Sequence, residues 1–573
     1  MKIVFKILIF LVLIFNVSIS YSQKYPQNYF RAPVDFPILL SGTFGELRSN
    51  HFHSGIDIKT NGRRGEKVYA AADGYVSRIK VSPYGFGKAL YITHPNGYVS
   101  VYAHLFCFSG QIANYVKKEH YRRESFAMDI YPDSSKLRIK KGQIVALSGN
   151  SGSSGGPHLH FEIRDEKTEI PINPLFFGIK VKDNIRPFIR SYKIFPFDDF
   201  SEINNRNKAL EYKVLYQSPK LKIKDTLTLS GKIYFGIQTY DQQNYTANKN
   251  GVYEINLYVD NKLIYSQDVE KFSFFESRYL NSLIDYSEYI KTRKRIQRTY
   301  VAPNNKLSIY KNVIEHGVFD FYDKKFHNVT YVVKDFAGNT SKLSFVVKSE
   351  KPHAAKPIAA IPKSKNSFSY KTKNHFETKD MILDIPKNAL YESMTFEYKT
   401  GAARKNSFSK THYIHNKFTP LHKYCSLAIK PNSTLPARLR NKALLAKTNK
   451  AGRLVSAGGK WENGYVVSKT REFGVYVVVV DTIAPKIKAL NIFNNKNISS
   501  QKTIKIRISD NFSGIKSYRG TINNKWILMD YDAKTNTLTY KFDSILLKGK
   551  NKFKLVVKDD KGNVGVYLAN LLK

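Results

Sequence analysis

The stretch Pro157-His158-Leu159-His160-Phe161-Glu162-Ile163 alternates apolar and polar side chains without a break. Successive side chains of a β-strand point to opposite faces, so Leu159, Phe161 and Ile163 face a core while His158 and His160 share the other side. Just upstream, Gly149–Gly156 (GNSGSSGG) is a flexible approach, and Pro157 stiffens the entry to the strand. His53-Ser54-Gly55-Ile56-Asp57-Ile58 reads the same way, with positions 53, 55 and 57 on one face and only a glycine hydrogen between His53 and Asp57. A helix also aligns residues i and i+4, but Gly55 and its β-branched neighbours favour a strand. A third stretch, Tyr98–Leu105 (YVSVYAHL), is a strand ending in His104.

Outward from these strands the pattern continues. Asn61-Gly62, Asp73-Gly74, Asn96-Gly97 and Lys141-Gly142 are turn signals between short β-branched runs, and they place Pro33–Val181 in one mainly antiparallel all-β domain. Phe108–Leu137 breaks the alternation as an insertion, with Ile112–Phe126 as a helix candidate. Beyond it, Asp183-Asn184-Ile185-Arg186-Pro187 resembles Asp481-Thr482-Ile483-Ala484-Pro485, and each opening has a matching end, VVKDFAGN (Val332–Asn339) and VVKDDKGN (Val556–Asn563). A strand, an Asp-x-x-Gly-Asn turn and another strand is hairpin grammar, and its recurrence suggests two related β-sandwich modules at 182–350 and 481–573 that resemble bacterial immunoglobulin-like domains. Between them lie a Pro/Ala/Lys linker, 351–366, and a third β-rich region, 367–480.

The chain has 573 residues, and 92 Lys+Arg against 46 Asp+Glu leave a formal charge of +46. Tyr 39 and Phe 37 against Met 5 and Trp 2 favour sheet cores over helical bundles, and 42% hydrophobic residues exclude a disordered chain. Two cysteines, Cys107 and Cys425, exclude a disulfide scaffold and a thiolate zinc cluster, and read as buried free thiols. Residues 1–22 combine Lys2 and Lys6 with the apolar run Ile7–Val17 and small residues at Ser18, Ser20 and Ser22, a secretory signal whose removal leaves +44. An uncleaved anchor is the alternative; no later run is apolar enough to span a bilayer. Export makes a nucleic-acid partner a poor explanation of the charge, and the basic residues are dispersed rather than gathered on one element. An anionic cell envelope fits better.

A lone strand histidine is ordinarily a satisfied structural residue, but the combination here points to chemistry. Two His and one carboxylate make a hydrolytic zinc set with a position left open for water, and two further His are then available as proton carriers. The motifs HSGID (His53–Asp57), YAHL (Tyr102–Leu105), GPHLHFEIR (Gly156–Arg164), Asp73-Gly74-Tyr75-Val76 and Gly142–Asn150 resemble the lysostaphin-type, LytM-domain zinc endopeptidases over roughly Phe36–Asp165. The resemblance implies a small antiparallel β fold with a narrow groove, one Zn²⁺ per chain, and cleavage of the peptide cross-bridges or stems of peptidoglycan. It carries the zinc ligands onto His53, Asp57 and His160 and the catalytic histidines onto His104 and His158. All five positions are intact, unlike in the inactive, activator-type members. The 108–137 insertion departs from the pattern and leaves bond preference open. Glu162 is left as a second carboxylate orienting a ligand histidine or rimming the groove. His51 reads as a solvated loop residue, His94 as a hairpin residue, and Thr411, His412 and His415 as scattered surface. The rival expectation is a non-enzymatic wall-binding scaffold that recruits or activates another hydrolase.

Overall fold

The computed structural model describes residues 24–214, 220–351 and 366–573. The signal expected at 1–22 lies outside the described residues, as does nearly all of the expected linker. The chain is almost entirely β, and no helix of the described residues is long and apolar enough to cross a membrane.

The amino-terminal region is built on a nine-stranded sheet whose main path runs Leu40–Gly42, Ile56–Lys59, His158–Asp165, Tyr98–Ala103, Lys88–Thr93, Gly74–Val81, Met128–Ile130. Its pairings along that path are antiparallel. His158–Asp165 sits centrally, with His160 opposite Asp57 on one side and Ala103 on the other. Leu159, Phe161 and Ile163 are fully buried, together with Ile56, Ile58 and Tyr102, as the alternation requires. Removing the Phe161 ring would cost about 3–5 kcal/mol.

The strand at HSGID begins only at Ile56. His53 precedes it, held in a backbone clasp in which its N–H donates to Glu46 O and its carbonyl accepts from Gly45 N, both at 2.9 Å. Gly55 is not a spacer between His53 and Asp57. A Cβ there would lie 2.3 Å from the Phe161 carbonyl oxygen and 2.8 Å from Glu162 Cγ, so glycine is what lets the two backbones close. The helix of the insertion spans Gly110–Arg123, buries Ile112, Val116 and His120, and ends at Glu124 in the left-handed region.

Between 188 and 350, hydrogen bonding joins the strands into one eleven-stranded sheet rather than two separate ones. The 21-residue strand Lys220–Tyr240 shifts register between Ile223 and Leu227, pairing in parallel with Thr340–Glu350 and antiparallel with Phe188–Pro196. Residues 367–480 form two five-stranded sheets and a two-stranded one; residues 486–572 form a four- and a five-stranded sheet. The repeat is visible in side chains. Asn339 donates its amide to Asp335 Oδ2 (2.8 Å) and to the Asp183 carbonyl (3.3 Å); Asn563 does the same to Asp559 Oδ2 (2.7 Å) and the Asp481 carbonyl (3.0 Å).

Two readings change. Thr411 and His412 are buried, not surface residues: they lie in the strand Thr411–Ile414, which is covered on both sides, and His412 Nδ1 meets Tyr398 Oη at 2.8 Å. Cys107 is half-buried at a strand edge, whereas Cys425 is buried and burial pushes its thiol up to about 12.

The rear of the chain packs on the front. The Tyr121 ring meets Trp526 edge-on at 5.3 Å, Arg519 pairs with Glu124 at 2.6 Å and Lys88 with Asp530 at 2.8 Å.

Candidate active site

His53, Asp57 and His160 bring three ligand atoms together. His53 Nε2 lies 3.0 Å from Asp57 Oδ1 and 3.0 Å from His160 Nδ1, which is itself 2.9 Å from Asp57 Oδ1. The opposite edge of each ring fixes its tautomer. His53 Nδ1 donates to the Thr43 carbonyl at 2.7 Å, and His160 Nε2 donates to Glu162 Oε1 at 2.8 Å. Each ring spends its N–H outward, so two nitrogen lone pairs and a carboxylate oxygen point at one another. Acceptors facing acceptors in a buried pocket are stabilised by a cation, and two imidazoles with one carboxylate suit Zn²⁺. The donor set therefore fits the expected metal.

The supporting groups are ordered by the same strands. Glu162 is fully buried on the His160 face, two residues along, and its other oxygen accepts from Arg164 Nε at 2.5 Å. Burial raises its carboxyl, but Arg164 and His160 outweigh that and hold it at about 2. Glu162 is thus the carboxylate that orients His160, not a rim group. Asp57 is likewise desolvated yet held well below the usual carboxylate range by His53, His158 and His160, and Arg48 Nη2 donates to its Oδ2 at 3.0 Å. Sequence reasoning passed over Arg48 and Thr43; both lie in the Thr43–His51 turn-back, where nothing in the residue pattern marks a partner.

His104 and His158 stand together beside this cluster, ring centroids 4.8 Å apart. His158 Nδ1 donates to the Gly156 carbonyl at 2.9 Å and its Nε2 lies 3.3 Å from Asp57 Oδ1. His104 terminates the Tyr98–Ala103 strand with φ 59°, a left-handed conformation rare for a non-glycine residue, and its Nδ1 donates to Ser151 O at 2.9 Å. Burial, reinforced by His160 and His158, pushes the ring down to about 3, so it is neutral at working pH. The Phe86 ring packs 5.0 Å from His160 and edge-on to His104, walling one side. Lys534 from the last module reaches the glycine-rich loop, donating to the carbonyls of Asn150 and Ser154 (3.3 Å to the latter).

His51 and His94 stay out of the site. His51 is exposed, its Nδ1 2.8 Å from Ser49 O. His94 is buried in its hairpin between the Asp73 carbonyl and Ser100 Oγ, both at 2.7 Å.

Residues 51–121 and 129–174 match the model of peptidase family M23, and residues 365–481 match that of a Zu5-like domain. The break in the first match falls inside the 108–137 insertion. Residues of this chain are 31% identical over 129 positions to the DD-carboxypeptidase/endopeptidase Mpg of Neisseria meningitidis, covering 22% of this chain and 23% of that protein. They are 30% identical over 156 positions to the murein hydrolase activator NlpD of Salmonella dublin, covering 27% and 33%. Among solved structures, the catalytic domain of the prophage-encoded M23 protein EnpA from Enterococcus faecalis is 23% identical, with 26% of this chain and 98% of that one covered and a TM-score of 0.19. The chain thus matches about a quarter to a third of the length of these curated relatives. With the HSGID, YAHL and HLH strands assembled around one cluster, the amino-terminal region of this chain is a peptidase family M23 domain.

Proposed function

We propose that the chain is an exported zinc-dependent endopeptidase that cleaves peptide cross-links or stems of peptidoglycan. The observation that carries this reading is the convergence of the His53, His160 and Asp57 acceptors beside a pair of histidines whose N–H groups are already committed elsewhere. His53, Asp57 and His160 would hold the metal, which would supply Lewis-acid polarisation of the scissile carbonyl and acidify the attacking water. His158 and His104 each offer a lone pair on Nε2 and so act as proton acceptors. A proton arriving on His158 lies beside the Asp57 carboxylate, so His158 takes the water's proton and later returns it to the leaving amine. His104, neutral and locked by Ser151, accepts the water's second hydrogen and orients it. Phe86 shields the ligands from bulk water.

The modules after residue 181 hold the peptidase against the anionic envelope, and the charge of +44 left after removal of the signal assists the encounter without involving nucleic acid. The similarity to an activator keeps one other reading open, a protein that binds peptidoglycan and stimulates a separate hydrolase. The test is digestion of purified sacculi by the zinc-loaded chain, with product masses recorded. Muropeptide release that stops on chelation is expected; intact sacculi under metal-loaded conditions would leave the activator reading.

A further inference from the structure

We propose that the seam between the peptidase domain and the module that follows it is a calcium site, with Asp183, Asp241 and Asp335 as carboxylate ligands and Gln243 as a carbonyl ligand. One ligand oxygen from each aspartate lies within 4.8 Å of the others, although the residues are far apart in sequence. Asp241 is 2% exposed and its Oδ1 has no hydrogen-bond partner; Gln243 is 4% exposed and its Oε1 has none either. Both line a cavity of about 40 Å³ with Asp183, room for an ion but not for an organic ligand. Among the described residues no ion pair reaches any of the three carboxylates. Burial, with Asp183 and Asp335 alongside, disfavours a bare charge on Asp241, a repulsion that a cation among the three carboxylates would relieve. Carboxylate and amide oxygens without nitrogen or sulfur suit Ca²⁺ rather than Zn²⁺.

The site stands directly behind the histidine cluster. Asp241 and Asn250 exchange backbone hydrogen bonds of 2.9 and 2.8 Å. The next residue, Gly251, exchanges two with the Thr43 hydroxyl, 3.2 and 3.0 Å. The carbonyl of Thr43 is the acceptor that fixes His53. An ion at the seam therefore fastens the module to the chain segment that orients a candidate zinc ligand.

The repeat places Asp481, Asp510 and Asp559 in the same arrangement, with a different outcome. There Asp510 is half-buried, its Oδ2 accepts from Phe512 N and Gly514 N, and Asp481 accepts from Ser513 N. Lys561, whose charge those aspartates feel, is already buried beside them. Three backbone N–H groups thus already bond the carboxylates of that cluster, although Asp510 Oδ1 keeps no partner.

The full chain, freed of divalent ions with EGTA, desalted and reloaded with one equivalent of zinc, is titrated with Ca²⁺ while its Tm is followed, and separately with Tb³⁺, whose luminescence Tyr253 in the cavity wall sensitises. A saturable rise in Tm is expected in the range of about 10⁻⁴–10⁻³ M or tighter, with a smaller response to Mg²⁺. Asp241→Asn should fold at least as well without calcium, because it leaves two clustered carboxyl groups in place of three, and should lose at least about tenfold in Ca²⁺ affinity. Asp183→Asn, at a more exposed position, repeats the measurement if Asp241→Asn does not fold. No Tm response in the wild type, or an equal response in the variants, overturns the proposal.

Discussion

The histidine cluster of the peptidase domain and the aspartate cluster at its seam are alike in plan and opposite in chemistry. Each sets three acceptors against one another, all buried in the first and two of three in the second; one uses two imidazole lone pairs and a carboxylate, the other oxygens alone. In the first, every ligand is anchored by a second hydrogen bond, His53 to Thr43, His160 to Glu162, Asp57 to Arg48. In the second, Asp241 Oδ1 and Gln243 Oε1 have no such partners. Anchored ligands keep their geometry when the ion leaves, as a catalytic centre requires, whereas unanchored ones depend on the ion for their own stability.

That contrast can be broken in several ways. The largest effect belongs to His160→Ala, expected to lose both zinc and sacculus digestion; retained metal by elemental analysis with full activity would remove the histidine cluster from the reaction. His104→Ala should keep its zinc and lose about 10²-fold in turnover, the scale of a misplaced reacting group, and loss of metal instead would make His104 a ligand. His94 supplies a buried histidine outside the cluster: burial pushes it down to about 4. Its neutral form stabilises the fold fully above the unfolded value of about 6.5, and that contribution, on the order of 3 kcal/mol, is lost as pH falls through about 4. Unfolding free energies at pH 7 and pH 4, compared with those of His94→Gln, measure it. Glu162→Gln should weaken zinc affinity by about 10–100-fold, the usual cost of losing the partner that orients a ligand. The smallest effect is expected at Asp510→Asn, which should leave the calcium response of the chain unchanged.

The two clusters were also unequally legible. All five residues of the histidine site sit in short motifs, and alternation fixes the faces of Asp57, His158 and His160, because a central strand covered on one side cannot slip register without burying the wrong side chains, whereas His53 precedes its strand and His104 follows its own. Glu162 followed from the same parity. The supports did not: Thr43 and Arg48 act from an irregular turn-back, and the left-handed backbone of His104 has no marker such as glycine. In the aspartate cluster, Asp183 and Asp335 were visible as repeat turns, but Asp241 ends a long strand and carries no local signal. Only the folded sheet brings it to the other two. Similarly, the Asp-x-x-Gly-Asn turns announced a repeat yet not that the first module's strands would run together through Lys220–Tyr240, since a bulge in a long strand leaves little trace in alternation.

The bond from Lys534 to the glycine-rich loop has a consequence in time. That loop supplies the carbonyl that sets His104 and leads into His158, yet it gains its last contact from a residue more than 380 positions later in synthesis. Ser151 and Ser153 fasten that loop to Lys88 and Gly85 within the front domain, and the bond from Lys534 can form only once the rear module is made, so the histidine cluster receives this outer contact late in synthesis.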